Sequence, residues 1–169
     1  NNLAVTKGTD DSAPQAGSTL VAANDKGDLI WKMPDTKGVL APKLVCAAKV
    51  GTTSTNGRLV YYDTKILDGE NALSGDATTG SVYTVPKTGL YQIFLNLSNY
   101  QRIGTDYWWY GIFKNGSVIG SSDFPNFSVS GVLFVVEELK AGDLISVRLQ
   151  SSAYGYKADL TKISVFRFE

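Results

Sequence analysis

The side chains best able to do chemistry here are aromatic. The run "DYWWYGIF" (Asp106 to Phe113) alternates Trp108 and Tyr110 on one strand face with Tyr107, Trp109 and Gly111 on the other. Flat apolar rings with polar rims suit a sugar face, so Trp108, Trp109 and Tyr110 form a candidate carbohydrate platform. The plainer alternative is core on one face and subunit contact on the other. Two further stretches, "SSDFPNFSVS" and "SSAYGYKAD", have the Ser, Gly and Asn content of loops. Phe124, Phe127, Tyr154 and Tyr156 are their candidate recognition residues, expected to be partly exposed. Tyr, Ser and Gly together make adaptable contact surfaces; the alternative is packing onto a neighbouring subunit.

Classical catalysis finds little support. The chain has no histidine, which removes the commonest general base and metal ligand. Ser-His-Asp and Cys-His mechanisms are excluded with it. Cys46, the single cysteine, sits in the apolar run "KLVCAAKV" and is expected to be a small buried side chain. Asp63, Asp68, Glu70 and Asp76 are the only acidic grouping, and "DTKILDGEN" lacks the Asp-x-Asp-x-Asp-Gly ladder of a calcium loop. Ordinary turn acids are the simpler reading. Nothing pins two carboxylates across a cleft for glycoside hydrolysis. No enzymatic activity, resident cofactor or thiolate metal site is expected.

The balance of 16 basic and 16 acidic residues argues against a nucleic-acid partner, since phosphate binding needs a cationic surface. No apolar stretch is long enough to span a bilayer. The start, "NNLAVTKGTDD", lacks Met and an apolar signal region, and is expected to be a processed or trimmed end.

The elements that would carry these residues are strands. Short runs rich in Val, Ile, Tyr, Phe and Leu alternate with Gly, Asn, Asp, Ser and Thr, as in an all-β sandwich or barrel. Nine are predicted from Lys43 onward: "KLVCAAKV", "RLVYYDTKI", "SVYTV", "GLYQIFLNLSNY", "DYWWYGIFKNG", "SVIGSS", "SGVLFVVEEL", "DLISVRLQSS" and "KISVFRFE". Asn115-Gly116 is a strong hairpin turn, because both residues tolerate positive φ. Residues 1–43 differ: they are polar, with one hairpin, "TLVAA" and "DLIW" about "NDKG". They are expected to form a stalk or linker ahead of a head at 44–169.

The order of motifs in that head resembles the C1q/TNF-like jelly-roll family. "TTGSVYTVPKTGLYQIF" is similar to its Thr-Gly strand, Pro-x-x-Gly corner and Tyr-rich strand. "IFKNGSVI" is similar to its Lys-Asn-Gly hairpin. "SGVLFVVEELKAGDLISVRL" matches its Ser-Gly and Leu-x-x-Gly-Asp pattern, and "KISVFRFE" its closing strand. Val82-Tyr83-Thr84 replaces the family's Phe-Thr, and Ala72-Leu73 stands where the family has an aromatic.

The resemblance implies a ten-stranded sandwich that assembles as a homotrimer. On "GLYQIFLNLSNY", Tyr91, Ile93, Leu95 and Leu97 share one face, and Gln92, Phe94 and Asn96 share the other. The resemblance places Gln92, Phe94 and Asn96 at the three-fold axis, joined by Phe166 and Phe168. Some members bind calcium, so calcium stays open as a use for the acids. The implied role is a non-enzymatic trimeric head for attachment or recognition, outside the cell or on a virion. A phage or viral spike or fibre, or a bacterial surface protein, fits best, because residues 1–40 lack the Gly-x-y repeat of a collagen stalk and their hairpin resembles units preceding such heads. A cell-surface receptor or glycan is the implied target, within a larger fibre, spike or capsid assembly. The alternatives are a secreted C1q/TNF-type ligand or pattern-recognition protein, and a purely architectural capsid or scaffold part. Three sequons, at Asn96, Asn115 and Asn126, are read as chance occurrences.

Overall fold

The computed structural model describes residues 18–22, 26, 28–32, 40–52, 59–98, 108–124, 130–149 and 156–169. Contacts divide the chain into two compact units, Asn1–Leu40 and Ala41–Glu169.

In the first unit β1 (Thr19–Ala22) and β2 (Leu29–Lys32) pair antiparallel, Leu20 opposite Trp31 and Val21 opposite Ile30. This is the hairpin expected around "NDKG".

The described residues of the second unit form ten strands. These are β3 (Pro42–Lys49), β4 (Thr64–Asp68), β5 (Leu73–Asp76), β6 (Gly80–Thr84), β7 (Gly89–Ser98), β8 (Trp108–Lys114), β9 (Ser117–Phe124), β10 (Ser130–Leu139), β11 (Leu144–Leu149) and β12 (Lys162–Phe168). One sheet has the order β10-β7-β12-β3-β4 and the other β5-β6-β11-β8-β9. After β6 the chain alternates between the sheets: β7 in the first, β8 and β9 in the second, then β10, β11 and β12 by turns. This interleaving is a jelly roll. The inward side chains of both sheets form one core, including Tyr91, Ile93, Leu95 and Leu97 from β7 against Tyr110, Ile112, Ile145 and Val147. Each large aliphatic side chain so buried contributes about 1.5–3 kcal/mol.

Two elements differ from expectation. "RLVYYDTKI" is not one strand. Leu59 bridges Arg148, and the Val60 amide donates to the Val147 carbonyl in the second sheet. By Thr64 the chain has joined β3 in the first sheet. The segment therefore crosses between sheets, which alternating apolar residues cannot signal. β5, "LSGD", was not expected, because Gly and Asp are depleted in strands. It forms because the Asp76 carboxylate accepts the Thr78 and Thr79 amides, closing a turn back to β6.

The Asn115-Gly116 turn joins β8 to β9 with Asn115 at φ 51°. The Asn115 amide nitrogen donates to Asp143, and its oxygen accepts the Leu144 amide at 2.9 Å. One hairpin tip is thus tied to the β10–β11 turn.

Candidate functional site on the two outer sheet faces

The outward face of the first sheet collects the residues predicted for a symmetry axis. Gln92, Phe94 and Asn96 alternate along β7 with the fully buried Tyr91, Ile93 and Leu95. Phe94 lies opposite Phe134 on β10 and Ser164 on β12. Gln92 lies opposite Val136 and Phe166, and Phe168 follows two residues on, opposite Pro42 of β3. The five named residues are therefore on one face of adjacent strands.

Sequence reasoning missed the β10 side of this face. Val132, Phe134 and Val136 are 52%, 62% and 51% exposed. The signal was present: "GVLFVV" is apolar at every position, the pattern of a strand covered on both faces. Leu44 and Leu67, also exposed, extend the patch across β3 and β4.

The outward face of the second sheet carries a different cluster. Tyr110 is fully buried in the core, so it is no part of an aromatic platform; its strand parity turns it inward. Trp108 lies in β8, but its side chain is outside the described residues. Trp109 is half-buried and meets Phe113 edge-on, ring centres 5.8 Å apart at 79°. Gly111 between them permits this: a Cβ there would meet the Trp109 ring at 3.0 Å. Opposite Gly111 on β11 stands Arg148, its guanidinium carbon 4.6 Å from the Phe113 ring centre. Arg148 also walls an open basin of about 480 Å³ with Leu59, Thr79, Val82 and Ser146.

The predicted recognition loops are placed only in part. Phe127 and Tyr154 lie outside the described residues, as does the Phe124 side chain at the end of β9. Tyr156 is a correction: it is buried, not exposed. Its hydroxyl accepts the Tyr61 amide at 3.2 Å and reaches the Leu59 carbonyl at 3.4 Å. The Ser-Gly composition suggested a solvated loop, but these partners lie far away in sequence.

The four acids are each engaged by protein partners. Asp63 accepts the Gly51 and Thr52 amides. Asp68 accepts the Ala72 and Leu73 amides and pairs with Lys65 at 2.8 Å. Both Glu70 carboxylate oxygens accept from Nη1 of the buried Arg167 at 3.0 Å, and Asp76 closes its own turn. No group of three potential metal-ligating acids or thiols occurs among the described residues. Cys46 is fully buried, and burial, then the Asp68 charge, pushes its thiol up to about 12. Such a thiol is unreactive at neutral pH.

Ten strands among the described residues, in two five-stranded sheets with this interleaved order, make the second unit a jelly-roll β-sandwich. No family profile matches the chain, and no curated protein does. Among solved structures, pika GITRL is similar at 21% identity, over 74% of this chain and 96% of that one, with a TM-score of 0.49. The globular domain of zebrafish complement 1qA is similar at 17% identity, over 75% of this chain and 96% of that one, also at 0.49. The fold assignment rests on the strand order. No helix among the described residues is long and apolar enough to cross a membrane.

Proposed function

We propose that this chain is a non-enzymatic head that assembles as a homotrimer and serves attachment or recognition on a phage, viral or bacterial surface structure. One observation carries the reading: the apolar outward face of the first sheet, centred on the Phe94–Phe134 pair. Contiguous apolar surface of this kind marks an interaction site. Domains of this fold commonly form trimers, and a closed ring of three would bury the face in every copy. Gln92 and Asn96 flank Phe94 at the axis, with Phe166 and Phe168 beside it. Three copies on one stalk would turn weak single-site contacts into firm attachment.

The test is solution mass by light scattering on the unaltered chain, Phe94→Asp and Phe134→Asp. Three chain masses are expected for the first and one for each variant. Phe134 is 62% exposed in the single chain, so its replacement should cost the monomer only about 1–2 kcal/mol, from the lost cross-strand pair and the poor strand propensity of Asp, and a retained melting transition shows that the fold persists. Its effect on mass is therefore an effect on assembly. A monomeric unaltered chain across a wide concentration range would overturn the trimer.

A further inference from the structure

We propose that Arg148, with the aromatic pair on one side and the basin on the other, binds a sugar carboxylate: the ligand of the second sheet is an acidic glycan.

The argument begins with the guanidinium. Arg148 is half-buried, and its side chain has no hydrogen-bond or ion-pair partner among the described residues. Its Nε is shut off from solvent with no acceptor among the described residues. Other long cations of the head, Lys43, Lys49, Lys65, Lys87, Lys114 and Arg167, each pair with an acid. Arg148 is instead fixed by stacking on Phe113. With Nε turned into the protein, the terminal Nη pair supplies the two parallel N–H groups that recognise a carboxylate. Ordering it beforehand lowers the entropy lost on binding.

The surroundings select among carboxylates. Val82 and Leu59 give the basin an apolar floor, and Ser146 and Thr79 place hydroxyls at it. Ser146 lies opposite Val82, and Leu59 opposite Arg148, so these groups lie across neighbouring strands on one face. A pyranose presents a C–H face to such a floor and hydroxyls to its rim, while Trp109 and Phe113 offer ring surface for a following sugar. An acidic peptide side chain would use the guanidinium and leave the rest unmatched. The basin's 480 Å³ is ample for a monosaccharide.

The site deepens the recognition reading above and rests on it for its role, although the binding itself does not need the trimer. It lies on the sheet opposite the proposed subunit seam, so three copies would each keep theirs open.

The experiment is a calorimetric or NMR titration of the whole chain with sodium glucuronate, glucose and N-acetylglutamate, repeated on Arg148→Lys, Arg148→Ala and Ser146→Ala. Expected is saturable glucuronate binding with a Kd of about 1 mM, with glucose and N-acetylglutamate at least about tenfold weaker. Both Arg148 variants should lose about tenfold or more, Lys included, because an ammonium neither forks nor stacks in the same way. Melting temperatures show whether a variant has kept its fold, and the specificity of the unaltered chain needs no variant. Equal binding of glucose, equal binding of N-acetylglutamate, unchanged affinity in folded Arg148 variants, or no binding of glucuronate each overturns the proposal. Light scattering on the same samples separates the two readings. A trimer that ignores glucuronate removes only the sugar site, and a monomer that binds it removes only the trimer.

Discussion

Asp68 organises the turn between β4 and β5. Its side chain is 4% exposed and accepts the Ala72 amide at 2.7 Å and the Leu73 amide at 3.2 Å, with Lys65 alongside. Burial pushes its carboxyl up, but the Lys65 hydrogen bond and the two amides outweigh it and hold the carboxyl below its ordinary 3.8. A folded-state pKa below the unfolded one means that the ionised group stabilises the fold. That stabilisation is complete well above pH 3.8 and is lost as pH falls through the lower folded value. Asp68→Ala should cost about 2–3 kcal/mol at pH 7 and flatten the acid limb of stability against pH, as read by urea denaturation. An acid limb as steep as the parent's would remove Asp68 from that role. At this scale the sequence was partly legible. The alternation of Gln92, Phe94 and Asn96 was visible because strand parity is local. The burial of Tyr156 was not, because it depends on backbone groups at Leu59 and Tyr61 brought up by the fold.

Among the elements, β5 depends on one backbone conformation. Gly75 has φ 124°, and a Cβ there would meet the Gly80 carbonyl oxygen at 2.0 Å. The obstacle is backbone rather than a movable side chain, so the hairpin itself must shift. Gly75→Ala should therefore cost at least about 1–3 kcal/mol, seen as a lowered melting temperature. Hydrogen exchange should quicken at Thr84, whose amide donates to the Ala72 carbonyl, and at Val82 before it quickens in β7. An unchanged melting temperature would mean that the β5–β6 pairing contributes little to the second sheet. Strand identity was legible for β6 to β12 because their apolar residues outweigh turn signals. It failed at β5, held by an Asx turn, and at residues 59–68, which change sheets midway.

For the molecule as a whole, the core cluster lies entirely between Val45 and Val165. The second unit is closed at its ends by a mutual pair, the Ala41 and Glu169 amides each donating to the other's carbonyl. Residues 40–169 alone should then unfold in one cooperative step, with a melting temperature within about 4 °C of the full chain, a shift worth no more than about 1 kcal/mol for a domain of this size. A broad or much lower transition would show that residues 1–39 complete the fold. The sandwich leaves two outward faces of opposite character: one apolar and continuous, suited to self-association, and one with a stacked guanidinium that has no acid partner among the described residues, beside an open basin. Substitutions on one face should leave the readout of the other unchanged, since the core separates them.

Most of the strands, their inward faces, the Asn115 hairpin and the improbability of histidine-based chemistry were determined by the sequence, because parity, turn chemistry and composition act over a few residues. The tertiary structure decided which strands became neighbours. It alone set Phe134 beside Phe94, buried Tyr110 and Tyr156, and put Arg148 opposite Gly111 and beside Leu59. Those pairings join residues tens of positions apart. They follow from how two sheets share one core, which no local pattern encodes.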